Sequence, residues 1–279
     1  MSSTSSLNPH LQRAIRQRRH SRRQQKGLSL LELMIAVSIG LLVIGAAIGT
    51  LILSRGTAST TSEISQLQQE AAYALRVVGL QLRQASTLEP VAHPSNVEAT
   101  TFVNFAPTFA TVSGTDGSGL APDTLTVGSQ APSVLTPLLR RDCLGNELDK
   151  TDLTIQSTFS VNSKKELTCV RVGSKTGAQS LISDVFDFQV RYRVNIGTSD
   201  VATAEYRIFS AADMTAQHWD RVQSIELCLD LVGKEPIPDG GITYLNCQRA
   251  LTARGNRNHL VYRNVFDVRR QHVITVPLA

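Results

Sequence analysis

The chain has 279 residues, 42% of them hydrophobic, with 28 Lys and Arg against 23 Asp and Glu and a formal charge of +5. That length gives room for one large or two small domains with a real core. The positive charge is concentrated: Arg13, Arg16, Arg18, Arg19, Arg22, Arg23 and Lys26 bring +7 with no acid, and the rest carries 21 cations against 23 acids, a balance of −2. The basicity is a topology signal, which excludes reading the overall charge as a nucleic-acid footprint.

Residues 1 to 26 are rich in Ser, Arg and Gln, show no apolar period, and read as a disordered leader. The pairs Arg18-Arg19 and Arg22-Arg23 raise a twin-arginine export signal as an alternative, but Gln24, Gln25 and Lys26 follow where apolar residues belong. Leu33 to Leu53 is a run of 21 residues without Asp, Glu, Lys or Arg. As a helix it spans about 31 Å, the hydrocarbon thickness of a bilayer, and it exceeds the apolar core of a cleaved secretory signal. The basic leader keeps the N-terminal end cytoplasmic and sends the rest of the chain across the membrane. Glu32 stands at the lip of the span, where a carboxylate wants a partner. Gly45 and Gly49 form a G-x-x-x-G spacing that lets another helix approach closely, although glycine is also simply commoner in membrane helices.

After Leu53, apolar residues recur at Ile64, Leu67, Ala71, Leu75, Val78 and Leu82, at offsets of three and four, and predict an amphipathic helix. Its polar face carries Glu63, Gln66, Gln69, Glu70, Arg76 and Arg83, and the pattern stops before Pro90. From about Ser29 to Ser86 this makes one rod on the order of 85 Å long. Its second half must pack against a domain. Residues 106 to 138, rich in Gly, Pro, Ser and Thr, read as a long loop around one short strand at Thr124 to Val127. Strands follow at Asp152 to Val161, Glu166 to Val172 and Val185 to Val194. In the last of these Phe186, Phe188, Val190, Tyr192 and Val194 face the helix, and Asp187, Gln189, Arg191 and Arg193 face water. Val222 to Leu231 repeats the pattern, with Ile225, Leu227, Leu229 and Leu231 inward and Glu226, Cys228 and Asp230 outward. Residues 232 to 241 form a turn cluster, and further strands are expected near Tyr262 to Val268 and Val273 to Val276. The order is an α+β layout, a long helix packed by its C-terminal half on an antiparallel β-sheet domain.

Gly27, then Leu28, Ser29, Leu30, Leu31 and Glu32, then Leu33-Met34-Ile35, resembles the class III signal of type IV pilins and pseudopilins. The resemblance implies that a prepilin peptidase cuts between Gly27 and Leu28, methylates the new N-terminus and leaves the apolar helix on the mature protein. Glu32 then becomes the fifth mature residue, and in an assembled filament the amine of a neighbouring Leu28 neutralises it. The family usually starts its mature chain with Phe, whereas this one starts with Leu28. The segments Val185 to Tyr192, Trp219 with Val222 to Leu231, and Arg263-Asn264 resemble the PilW type of minor pilin. The implied organisation is a leader over residues 1–27, a helix over 28–88 with 33–53 in the membrane, and a periplasmic β-rich domain over 89–279. The implied partners are other minor pilins and the major pilin, the prepilin peptidase, the inner-membrane assembly platform and the lipid bilayer, with no cofactor. A type II secretion pseudopilin of the J kind is the nearest rival. A signal-anchored periplasmic enzyme or binding domain is the rival from another class.

Cys143, Cys169, Cys228 and Cys247 all lie beyond the membrane run, and in a periplasm an even count favours two disulfides among three possible connectivities. Pairing Cys143 with Cys169 and Cys228 with Cys247 closes two modest loops, while no C-x-x-C spacing supports zinc. No G-x-S-x-G, H-E-x-x-H or Walker loop occurs, and no enzymatic activity is expected. His93, His218, His259 and His272 lack a spaced acid or cysteine and read as surface or strand-edge residues. Glu147, Asp149 and Asp152 lack EF-hand spacing and read as a solvated loop. Arg249, Arg254, Arg257, Arg263, Arg269 and Arg270, near Tyr262 and Phe266, make a basic stretch that reads as a solvated or subunit-facing surface before a DNA-binding one.

Overall fold

A computed structural model describes residues 27, 29–86, 90–92, 100–102, 111–131, 140–148, 154–198, 203–238 and 240–268. The chain divides into two compact units, Met1–Gly56 and Thr57–Ala279. Helix α1 (Leu30–Gln84) is continuous over 55 residues and opens with a bond from the Leu33 N–H to the Ser29 carbonyl at 3.1 Å. In the first unit its large apolar side chains are exposed all round, the distribution of a helix made for lipid or for other helices. In the second unit Leu67, Ala71, Ala74, Val78 and Leu82 are buried in a stripe. Ala74 takes the place that spacing assigned to Leu75, which is only partly buried. Small residues on this stripe bring the helix backbone close to the sheet. Gly79 shows the limit, since a Cβ there would overlap the Phe266 ring.

The strands are β1 (Pro90–Ala92), β2 (Thr100–Phe102), β3 (Val112–Thr115), β4 (Thr124–Gln130), β5 (Thr154–Val161), β6 (Leu167–Arg171) and β7 (Gln179–Ile182). They continue as β8 (Val185–Asn195), β9 (Tyr206–Phe209), β10 (Val222–Val232), β11 (Thr243–Leu245), β12 (Leu251–Ala253) and β13 (His259–Asp267), with a one-turn helix α2 (Ala216–Trp219) between β9 and β10. Among the described residues the main sheets have the orders β3-β4-β5-β6-β7 and β13-β10-β8-β9, and β1/β2 and β11/β12 are separate two-stranded pairs. All pairings are antiparallel.

The expected antiparallel β domain is thus built on two main sheets. The segment taken for a loop around Thr124 to Val127 supplies β3 and a longer β4, in register Val112↔Val127. Ser129 and Gln130, polar but buried, extend β4 along Ile155 and Thr154 of β5. Residues 103–110, 132–139 and the expected strand at 273–276 lie outside the described residues. The end of α1 is tied to β4: Ser86 takes a left-handed φ of 60° and donates its N–H to the Gly128 carbonyl at 3.1 Å.

Strand β10 presents Ile225, Leu227, Leu229 and Leu231 to the core as expected, all buried. Strand β8 departs from the expected alternation. Its register with β10 shifts between Asp230↔Asp187 and Leu231↔Val185, leaving Phe186 without a partner. That bulge turns Phe186 outward to 46% exposure and buries Val185 instead.

The second face of this sheet is also covered, and this corrects the expectation that Asp187, Cys228 and Asp230 face water. The β11/β12 hairpin lies over them, joined by the Cys228–Cys247 disulfide. Asp187 and Asp230 stand opposite each other and are 4% and 0% exposed. Asp230 accepts from the Tyr244 hydroxyl at 2.8 Å and lies 3.1 Å from His259 Nδ1. Asp187 accepts from Gln189 Nε2 at 3.0 Å and Gln248 Nε2 at 2.9 Å. His259, expected at the surface or a strand edge, begins the edge strand β13, stacks on Tyr244 at 4.5 Å and meets Phe186 edge-on at 4.8 Å. Burial pushes the Asp187 carboxyl above its ordinary pKa, the two glutamine bonds oppose this, and the charge of Asp230 adds to the rise.

Replacing Gly79 by Ala adds about 1 kcal/mol of helix propensity, yet the overlap with a buried ring outweighs it. G79A is expected to destabilise by about 1–3 kcal/mol in urea unfolding, and a more stable variant would refute the close packing. Asp187 gives a second outcome. The unfolded chain releases its proton near the ordinary carboxylate value, about 3.9, and the folded chain releases it higher. Its contribution is therefore complete below about pH 4 and declines as pH rises through the folded value. Urea midpoints measured from pH 4 to 7 are expected to carry this falling component, and D187N, which cannot ionise and whose amide oxygen keeps one of the two glutamine contacts, is expected to lack it.

Candidate functional site

The span offers its chemistry at its entrance. Gly27 and Ser29 are exposed just before α1, and Leu28 lies outside the described residues. Glu32 sits in the first turn of α1, exposed, where the partial positive charge of the helix N-terminus favours a carboxylate. Among the described residues no cation pairs with it. Gly45 and Gly49 are four apart on one face, exposed, with nothing near enough to meet a side chain. Two hydroxyls within the span are satisfied inside the helix: Ser38 Oγ donates to the Met34 carbonyl at 2.8 Å and Thr50 Oγ1 to the Ala47 carbonyl at 2.9 Å. Such back-bonding removes the cost of offering a bare hydroxyl to lipid. The helix is long and apolar enough to cross a membrane.

Beyond the span, the candidate residues hold the domain together. Cys143 and Cys169 form one disulfide, with a Cα–Cα distance of 6.5 Å, and Cys228 and Cys247 the other, at 5.5 Å. The first ties the 140–148 turn to β6. Within that turn Asp142 accepts from the Leu144 and Asn146 N–H groups, both at 2.9 Å. Glu147 forms an isolated bridge with Arg141, and Asp149 and Asp152 lie outside the described residues. Among the described residues no three His, Cys, Asp or Glu side chains converge as a metal-ligand group.

The basic stretch is not an open patch. Arg249 binds both carboxylate oxygens of Glu226 at 2.7 and 2.8 Å. Arg254 donates to the Pro238 carbonyl at 3.2 Å, and Arg257 to the Gly233 and Lys234 carbonyls at 3.0 and 2.8 Å. Arg263 donates to the Asn246 carbonyl. Phe266 is buried and Tyr262 packs against the core, so neither is free to stack on a base. These four arginines brace the hairpin loops, and Arg269 and Arg270 lie outside the described residues.

Glu63 is a residue that sequence reading left on the polar face of the helix. Its Oε1 accepts from the Lys234 N–H and from the Glu235 N–H at 2.7 Å, and Lys234 Nζ pairs with Asp184 Oδ2 at 2.9 Å. The carboxylate thus pins the start of the 233–242 loop to α1. The only sequence signal was a charged residue bordering the apolar stripe. His218 likewise acts locally, with its Nδ1 accepting from the Thr215 N–H at 3.2 Å and its ring 4.6 Å from Phe209.

A family model described as the prokaryotic N-terminal methylation motif matches residues 22–48. No curated protein matches the chain. Among solved structures, a type IV-like pilin from Thermus thermophilus is similar at 10% identity and a TM-score of 0.40, over 72% of this chain and 96% of that one. The matched motif encloses Gly27, Glu32 and most of the apolar run, as far as Ile48. By that motif the chain carries a class III prepilin signal, the N-terminal methylation signal of type IV pilins and pseudopilins.

Proposed function

We propose that the chain is a minor pilin of the PilW type, processed by a prepilin peptidase and incorporated with other pilins during type IV pilus assembly. The observation that carries this reading is the N-terminal motif: a basic leader, Gly27, Glu32 five residues on, and an apolar helix without a break. Cutting after Gly27 frees the amine of Leu28. In the assembled filament that amine meets Glu32 of a neighbouring subunit as their helices pack, and the pair leaves water together, which removes the cost of a lone carboxylate beside lipid. Gly45 and Gly49 give the approaching helix room. The seven leader cations hold that end in the cytoplasm, so the disulfide-bonded domain stands in the periplasm, an oxidising compartment.

Mass spectrometry of the mature protein is expected to find N-methylated Leu28 at its start, and Gly27→Leu is expected to retain the precursor. A mature protein beginning at Met1 or Ser2 would mean a simple anchored domain. E32A is expected to lower pilus number about tenfold or more at unchanged protein abundance. A deletion strain that keeps its pili and stops secreting folded exoproteins would identify a type II secretion pseudopilin of the J kind.

A further inference from the structure

The turn between β3 and β4 brings two carboxylates together. Asp116 is exposed at its start, and Asp123 is buried at its end, 3% exposed. Asp123 accepts from the Gly117 N–H at 2.9 Å through Oδ1 and from the Val190 N–H at 2.8 Å through Oδ2, which seats it against the residue that follows Asp116, and the charge of Asp116 acts on it. Two neighbouring carboxylates repel unless a proton or a metal ion lies between them. The oxygens nearby are neutral. The Ala121 and Pro122 carbonyls crowd Gly117, and any side chain there would collide with them.

Tyr192 gives a second, independent observation. It is 0% exposed, and its hydroxyl lies against Gly114, two residues before Asp116. Among the described residues that hydroxyl has no hydrogen-bond partner, and both carboxylates act on it electrostatically. Carboxylates, carbonyls and a hydroxyl, without nitrogen or sulfur donors, are the donor set of a hard divalent cation. We propose that the β3–β4 turn is a calcium site, in which Asp116 and Asp123 supply the charge and the Tyr192 hydroxyl and the turn carbonyls supply neutral oxygens. Asp116, at the surface, gives the ion its way in. Asp123 already holds the Val190 N–H of β8, so an ion on this carboxylate fastens the turn of one main sheet to a strand of the other.

The rival is a carboxylate pair that shares a proton and binds no metal. Full-length protein in detergent micelles is titrated with terbium and the emission read through Trp219 and Tyr192, whose rings are 4.9 Å apart. Calcium is the competitor, and thermal unfolding is followed in EDTA and in millimolar calcium. Calcium is expected to displace terbium and to raise the unfolding temperature by several degrees. D116N changes only an exposed side chain. It removes one of the two repelling charges, so it is expected to unfold no lower than wild type in EDTA, to lose the calcium-dependent rise and to bind calcium about tenfold or more weakly. Y192F keeps the buried ring and is expected to weaken binding as well. No calcium-dependent stabilisation of the wild type overturns the site, and so does equal affinity in D116N. Equal affinity in Y192F removes the phenol from the donor set and overturns the site as stated.

Discussion

Burial of one narrow stripe of α1 is the contact on which the domain depends. Leu67, Ala71, Ala74, Val78 and Leu82 join the same core as Ile225, Leu227, Leu229 and Leu231 of β10 and Phe188, Val190 and Tyr192 of β8. Remove the helix and the inner face of the longest strands would meet water, an exposure worth roughly 1.5–3 kcal/mol for each large side chain. A segment whose first half is dressed for lipid thereby also supplies the missing half of a soluble core. The Glu63 carboxylate and the Ser86 N–H add polar ties near the two ends of the buried stripe.

The other face of the four-stranded sheet shows how a small covering element is held without much apolar area. The β11/β12 hairpin buries two carboxylates opposite each other, an arrangement that costs stability unless every oxygen finds a donor. Tyr244, His259, Gln189 and Gln248 are those donors, or for His259 the facing ring nitrogen. The Cys228–Cys247 disulfide closes a loop with a sequence separation of 19, which in chain-entropy terms stabilises by about 3 kcal/mol. Covalent closure and polar satisfaction together take the place of a second hydrophobic layer.

The strongest patterns were legible in the residues themselves. The apolar run, the helical stripe and the strands β8, β10 and β5 all carry a period long enough to stand out. What stayed hidden has physical reasons. Strands of three or four residues, such as β9, β11 and β12, are too short for alternation to show. The second half of β4 looked like loop because Gly128, Ser129 and Gln130 are poor strand formers that pairing with β5 overrides. The bulge at Phe186 reverses faces, and no pattern of residue types announces it. Polar burial misled in the same way: Asp187 and Asp230 read as water-facing because strand alternation does not show that the β11/β12 hairpin folds back over that face. In the candidate site, the Gly27 to Glu32 spacing was legible because it is local. Glu63, Asp123 and Tyr192 gain their roles only from long-range contacts.

The closeness of Gly79 to Phe266 links two positions that lie 187 apart along the chain. A methyl group gained on the helix is tolerable only after the aromatic ring on the edge strand has shrunk, so the glycine does not drift alone. Descendants of this gene would have to change the pair in a fixed order, ring first and glycine second. The shape of one small gap thus sets the sequence of steps by which the helix face diverges.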